Sequence, residues 1–226
     1  MTKQSLPIAL QHKFFTLILL SLVLPMLPGC MAAPPKDFVF SASPTDYSLK
    51  PDITLKVGLV LSDDFKNAVW VSDEHKIKFH IGAVFSEKAR EVSAAVFSKV
   101  VVADNEQMFA PGTINAMLVP ELVSYERSRP VFGTSTTIDT AIIQWTLSDR
   151  NASLVWVDSI QVDGESAVTT GEAAKAAMTL NPWKAGKLAA DRGIKMIADH
   201  FFNDSVSAMK SSVEIRAFAE KASAID

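Results

Sequence analysis

Side chains able to do chemistry are few in this 226-residue chain, and their spacing assembles no familiar reactive set. Beyond residue 29 three histidines remain, His75, His80 and His200, and none lies in an HExxH or similar zinc-ligating pattern. His80 falls on the polar side of a short alternating segment and His200 sits beside Phe201 in a helical stretch, so both are expected at the surface or as caps. Asp158, Asp163 and Glu165 come nearest to a metal-binding group. Residues five apart on a strand point to opposite faces, so Asp158 and Asp163 diverge, and the spacing fails the calcium-loop pattern. Gly164-Glu165-Ser166-Ala167 lacks the closing glycine of a nucleophile elbow. Gly164 and Gly171 lie too far apart for a phosphate-cradling loop. No catalytic residue, metal or cofactor is therefore expected.

Cysteine occurs once, as Cys30. Ahead of it come Lys3, His12 and Lys13, with no acid before Asp37, and then the apolar run Phe14 to Met26, interrupted by Thr16, Ser21 and Pro25. The run ends in Leu27-Pro28-Gly29-Cys30. A basic opening, an apolar stretch and small residues form a secretory signal, residues 1–29. Crossing the hydrocarbon core takes about 20 apolar residues. This run is shorter and two prolines close it, which favours a cleaved signal over a retained anchor helix.

The tetrapeptide LPGC resembles the lipobox of bacterial lipoproteins, in which small residues precede an obligatory cysteine. The resemblance implies cleavage between Gly29 and Cys30, a diacylglyceryl thioether on Cys30, and acylation of its new amino terminus. Proline at position 28 departs from the small or apolar residue that the family favours. The alternative is a free or buried thiol. In the family an aspartate directly after the cysteine retains the protein in the inner membrane. Met31 stands there, which implies the inner leaflet of the outer membrane, facing the periplasm. Exported proteins normally use cysteines in pairs; with none left over, the folded part must hold together by packing alone.

Removing residues 1–29 leaves 197 residues, enough for one domain that buries about 70 per cent of its unfolded surface. Lys3 and Lys13 leave with the signal, so 20 basic residues face 25 acids and the net charge is near −5. That balance argues against nucleic acid and against a polybasic membrane-binding surface.

Residues 30–52 hold the cysteine and prolines 34, 35, 44 and 51, and are expected to form an extended tether; Phe38, Val39 and Phe40 could instead add an edge strand. A single α/β domain is expected over 53–204, with 205–226 as a tail carrying a short helix from Val213 to Ala224. Ile53, Leu55, Val57, Leu59 and Leu61 alternate as in a strand whose second half is buried on both sides. Ile77 to Ile81 forms a second strand. Val84, Phe85, Ala89, Val92, Val96 and Val100 define an amphipathic helix, with Ser86, Glu87, Lys88, Arg90, Glu91 and Ser98 on its other side. A strand over Lys99 to Asp104 follows, and this order favours a parallel connection. Met117 to Tyr125 is a strand with Pro120 near an edge or bulge. Thr137 to Ser148 and Ser153 to Asp163 flank the polar turn Asp149-Arg150-Asn151-Ala152 as a hairpin. Ala141, Ile143, Trp145 and Leu147 line one face of its first arm, and Leu154, Trp156, Ile160 and Val162 one face of the second. Gly171 to Phe202 is helical, divided at Pro182, with Leu188, Ile194, Ile197, Ala198 and Phe201 as its apolar stripe.

The fold class expected is α/β (α+β), a mixed sheet of about five or six strands with amphipathic helices packed on it. His80-Ile81-Gly82-Ala83, Phe97 to Asp104 and the arm Ala141 to Val157 resemble, over roughly 110 residues, the periplasmic domains of two kinds of bacterial lipoprotein. These are the curli-secretion lipoprotein and the lipoproteins that activate penicillin-binding proteins. Trp145 and Trp156 alternate with core residues, whereas Trp70 and Trp183 fall in loop-like segments, as lids over the core or as anchors for a partner. The expectation is a non-catalytic envelope lipoprotein, joined to the membrane by its lipid, that binds a protein partner or assembles with itself. A homo-oligomeric secretion component and a cell-wall-acting enzyme are the alternatives.

Overall fold

The computed structural model describes residues 37–42, 50–72, 76–105, 109, 112–128, 136–178 and 182–224. Gly29, Cys30 and His75 lie outside these residues. In chain order the elements begin with β1 (Asp37–Val39), β2 (Ile53–Val60), α1 (Asp63–Lys66), β3 (Val69–Val71) and β4 (Lys78–His80). Then come α2 (Gly82–Val96), β5 (Phe97–Ala103), β6 (Ala116–Arg127), β7 (Thr136–Asp149) and β8 (Leu154–Ala167). The chain closes with α3 (Thr170–Met178), α4 (Pro182–Ser211) and α5 (Val213–Ser223). The α/β class is as expected, but the strands divide into a five-stranded sheet, β5-β2-β6-β7-β8, and a three-stranded one, β1-β4-β3.

β2 carries the alternation seen in the sequence. Ile53, Leu55, Val57, Leu59 and Leu61 are buried beneath the helices, and Gly58 and Val60 on the other face are covered as well, Gly58 by Phe109 and Ile114. β2 pairs parallel with β5 and with the start of β6. The expected parallel partner of β5 was the strand just before the helix; that strand, β4, belongs to the small sheet instead. α2 ends at Val96, where Phe97 turns extended, so Ser98 and Val100 belong to β5. Consecutive β-branched Val100, Val101 and Val102 favour that change. Two residues assigned to the polar side of α2, Ser86 and Lys88, are buried. α2 is sandwiched against α4. Buried Lys88 faces Glu91 at 2.9 Å and Asp199 of α4 at 3.6 Å, the pairing that an enclosed ammonium group needs.

Pairing of β6 with β2 stops at Leu118, so Pro120 sits beyond that ladder, a placement that suits a residue without an N–H. The β7–β8 hairpin forms as its pattern predicts. Asp149 Oδ1 accepts from the N–H groups of Asn151 and Ser153, both at 2.8 Å, and closes the turn. One assignment fails: Leu154 is exposed, because a register shift at Leu147/Ser148 places it opposite Ser148, away from the face shared by Trp156 and Leu147. Trp145 is buried, its Nε1 donating to Ser205 at 3.0 Å, and Trp156 is half-buried.

The folded body extends past 53–204 at both ends. Phe38 and Phe40, assigned to the tether, are buried in the core. α4 runs through residue 204 to Ser211 and buries Val206 and Met209, and α5 buries Ile215 and Ala219. Asp52 holds this end by facing Lys210 at 3.2 Å and Arg216 at 3.8 Å. Pro182 opens α4, as a residue lacking the N–H can.

The start of α3 is a capping box, also unanticipated: Thr169 N donates to Glu172, and Glu172 N donates to Thr169 Oγ1. Arg192 of α4 grips the same carboxylate with both terminal nitrogens and donates to the Ala167 carbonyl at 3.1 Å. Arg192, followed by the Thr169 N–H, holds the Glu172 carboxyl down at about 2. A depressed folded value contributes stability above the ordinary glutamate value, near 4.3, that is lost as pH falls through 2. In thermal melts between pH 5 and 2, Glu172→Gln should lose less of its Tm than the wild type. Equal slopes would show that the pair contributes nothing.

Candidate functional site

The richest grouping of polar and aromatic side chains lies where the small sheet meets the far ends of β6 and β7. Trp70, Phe79 and Phe38 occupy the central positions of β3, β4 and β1 and share one face. Phe79 is the hub. Its ring centre lies 5.1 Å from Trp70, 5.2 Å from Phe38 and 6.0 Å from Phe40, and the Arg127 guanidinium approaches it to 5.3 Å. Trp70 also meets Tyr125 edge-on at 6.1 Å. The small sheet is thus attached through an aromatic layer to the strands behind it.

Beneath that layer is a buried acid. Asp139 of β7 has no exposed surface. Tyr125 donates its hydroxyl to Asp139 Oδ1 at 2.8 Å, and Arg127 Nη1 stands 3.4 Å from the same oxygen. Arg127 and Asp139 are directly opposed in the β6–β7 ladder, so the strand pairing brings them together. On the other side Gly193 of α4 backs onto the carboxyl. A Cβ there would lie 2.3 Å from Asp139 Oδ2 and 3.2 Å from the buried Ser166 hydroxyl. Only glycine lets the helix approach so closely. Asp139 Oδ2 and Ser166 Oγ have no hydrogen-bond partner among the described residues.

Burial pushes the Asp139 carboxyl above its usual range, with Arg127 and then the Tyr125 hydroxyl opposing the shift. Burial, followed by the Asp139 charge, pushes the Tyr125 phenol up. An acid enclosed in this way does not meet a dissolved substrate; it holds Tyr125 and Arg127 in place and joins the hairpin to α4. Asp139→Ala strips the partner from a mostly buried guanidinium and should cost about 3 kcal/mol. A raised folded value also means that stability falls as pH rises from about 4 toward that value. Asp139→Asn retains an acceptor for Tyr125 and should lack this decline. Denaturant titrations at pH 4 and pH 7 measure both effects.

The residues singled out in the sequence do not converge. Trp70 lies on a strand rather than in a loop. Trp183 lies in the first turn of α4, and both rings are half-buried against the core. His80 Nε2 is 2.9 Å from Asp37 Oδ1, and His200 Nδ1 is 2.7 Å from the Asp163 carbonyl. Asp163 accepts from Thr140 at 2.6 Å, whereas Asp158 lies opposite Trp145 on the other face of the sheet. Among the described residues no three His, Cys, Asp or Glu side chains are grouped to hold a metal. The Asp139 cluster was missed, although a signal existed: Asp139 is in phase with the buried series Ala141, Ile143, Trp145, Leu147.

No family model and no curated protein matches the chain. Solved structures do resemble it in shape. Protein XCC0632 from Xanthomonas campestris, assigned to the DUF330 family, is 12% identical, with 75% of this chain and 99% of that one covered at a TM-score of 0.40. Lipoprotein GNA1162 from Neisseria meningitidis is 16% identical over 56% of this chain and 94% of its own, TM-score 0.33. The PelC dodecamer from Paraburkholderia phytofirmans is also 16% identical, over 64% and 92%, TM-score 0.33. At this level the likeness carries neither family membership nor function.

Proposed function

We propose that the chain is a lipid-anchored envelope lipoprotein, held in the outer membrane facing the periplasm, that acts by binding a protein partner or copies of itself rather than by catalysis. The observation that carries this is the placement of the lone cysteine. Cys30 closes a basic, apolar, LPGC-terminated leader, and the first strand of the folded body starts only seven residues later, at Asp37. In support, the most elaborate polar cluster is enclosed in the core. No described helix is long and apolar enough to cross a membrane.

The native mass of the full-length protein after gentle detergent extraction from its own envelope tests the binding role. Copies of this chain alone in a larger species favour self-assembly, and a second protein in it identifies the partner. A bare monomer that hydrolyses a cell-wall substrate, and loses that activity on replacement of one polar residue, would sink the proposal.

A further inference from the structure

We propose that the outer face of the three-stranded sheet lies against the bilayer surface that holds the lipid anchor. The inference rests on the lipoprotein reading above and deepens it, by assigning the side of the domain that meets lipid.

Strand register defines the face. With Phe38, Phe79 and Trp70 turned inward, the alternate positions form two outward rows: Asp37, Lys78 and Val71 in one, and Val39, His80 and Val69 in the other. The three valines are 66%, 43% and 39% exposed for Val39, Val71 and Val69. A β-branched apolar residue is favoured in a strand, but three left open on one small sheet, all of them on its two edge strands, form a surface that invites cover. The aromatic layer on the inner side holds the face rigidly to the domain.

Chain length selects lipid as the cover. From Cys30 to Asp37 the chain can reach at most about 25 Å even when fully extended. β1, which contributes the most exposed valine, is therefore never far from the acyl chains. The opposite end of the molecule is distant. β7 runs ten residues from Asp139, beside the small sheet, to the turn at Asp149, a length of roughly 34 Å. Charge agrees with the assignment. Lys78 is exposed within the face and Lys76 beside it. Asp37, the acid on the face, lies 2.9 Å from His80 Nε2. Lysines whose stems lie along apolar surface while their ammonium groups reach outward suit a layer of anionic headgroups.

The test uses the full-length chain, processed with its own leader in a Gram-negative host and reconstituted into vesicles of phosphatidylethanolamine and phosphatidylglycerol. Val39→Cys, Val71→Cys and, at the distant turn, Leu154→Cys each receive a thiol-specific nitroxide. Collision with a water-soluble nickel chelate should be about threefold lower at positions 39 and 71 than at 154, with collision with oxygen higher, as for residues at an apolar interface. Equal accessibility at all three positions overturns the proposal. So does protection at 39 and 71 that survives transfer to detergent together with a bound protein, since the cover is then protein. The unsubstituted chain separates the two failures. A thioether at Cys30 takes no label, whereas labelling of Cys30 shows that the lipoprotein reading itself is wrong.

Discussion

Replacing the single cysteine, Cys30→Ser, is expected to remove labelled palmitate from the protein entirely and to leave a precursor that still carries residues 1–29. Serine cannot form the thioether that the LPGC resemblance requires before cleavage. The energetic consequence is large because each buried methylene contributes roughly 0.8 kcal/mol. One acyl chain binds a bilayer reversibly, whereas two or three make release negligible. The same substitution behind a conventional secretory signal, in place of residues 1–29, should send the folded chain from the membrane pellet to the soluble periplasmic fraction. Retention of label or of membrane attachment in that second form would show that another element holds the protein to the membrane. Electrophoretic mobility, palmitate incorporation and fractionation read the three outcomes separately.

Gly82→Ala should be the most damaging of the small substitutions in the folded body. Gly82 opens α2 against the α1–β3 connection, and its N–H and that of Ile81 both donate to the Ala68 carbonyl, at 3.0 and 3.1 Å. A Cβ at this position would stand 2.4 Å from the Lys66 carbonyl oxygen and 2.5 Å from both Ala68 N and the Phe65 oxygen. All three obstacles are backbone atoms, fixed by the short helix and by the pairing of β3 with β4, so no side chain can rotate away. Overpacking of this kind costs about 3 kcal/mol or more, which for a domain of this size lowers Tm by roughly 10 °C. Gly186→Ala is the matched control. It lies exposed on α4, and a Cβ there meets nothing within 4 Å. That change should raise stability by about 0.5–1 kcal/mol through helix propensity alone. A Gly82→Ala protein as stable as the wild type would mean that α2 can shift off the α1–β3 connection.

The two glycine positions illustrate what was legible before the fold was known. Ile81-Gly82 before an amphipathic run marks the start of a helix. The need for glycine there comes from residues 65–68, which no local pattern ties to position 82. The Asp139 site divides in the same way. The alternation of β7 places Asp139 on the buried face, and Tyr125 and Arg127 alternate on β6. Their meeting depends on the β6–β7 register, and the enclosure of the acid depends on Gly193, 54 residues along the chain from Asp139. Ser86 and Lys88 were assigned to solvent because one apolar stripe already accounted for α2; a second covering element, α4, made the opposite side interior.

The sequence by itself determined the strands β2, β7 and β8, the turn at Asp149, the amphipathic face of α2 and the break at Pro182. Each of these rests on local rules: a period of two or of about 3.6, the fixed φ of proline, the hydrogen-bonding reach of an aspartate in a turn. Tertiary structure alone decided that β5 pairs with β2, that β4 leaves for a second sheet with β1 and β3, and that residues 37–40 and 205–223 join the core. Periodicity reports which side of an element is apolar. What covers that side is decided by contacts between segments far apart in sequence, whose free energy exists only once the whole domain has closed.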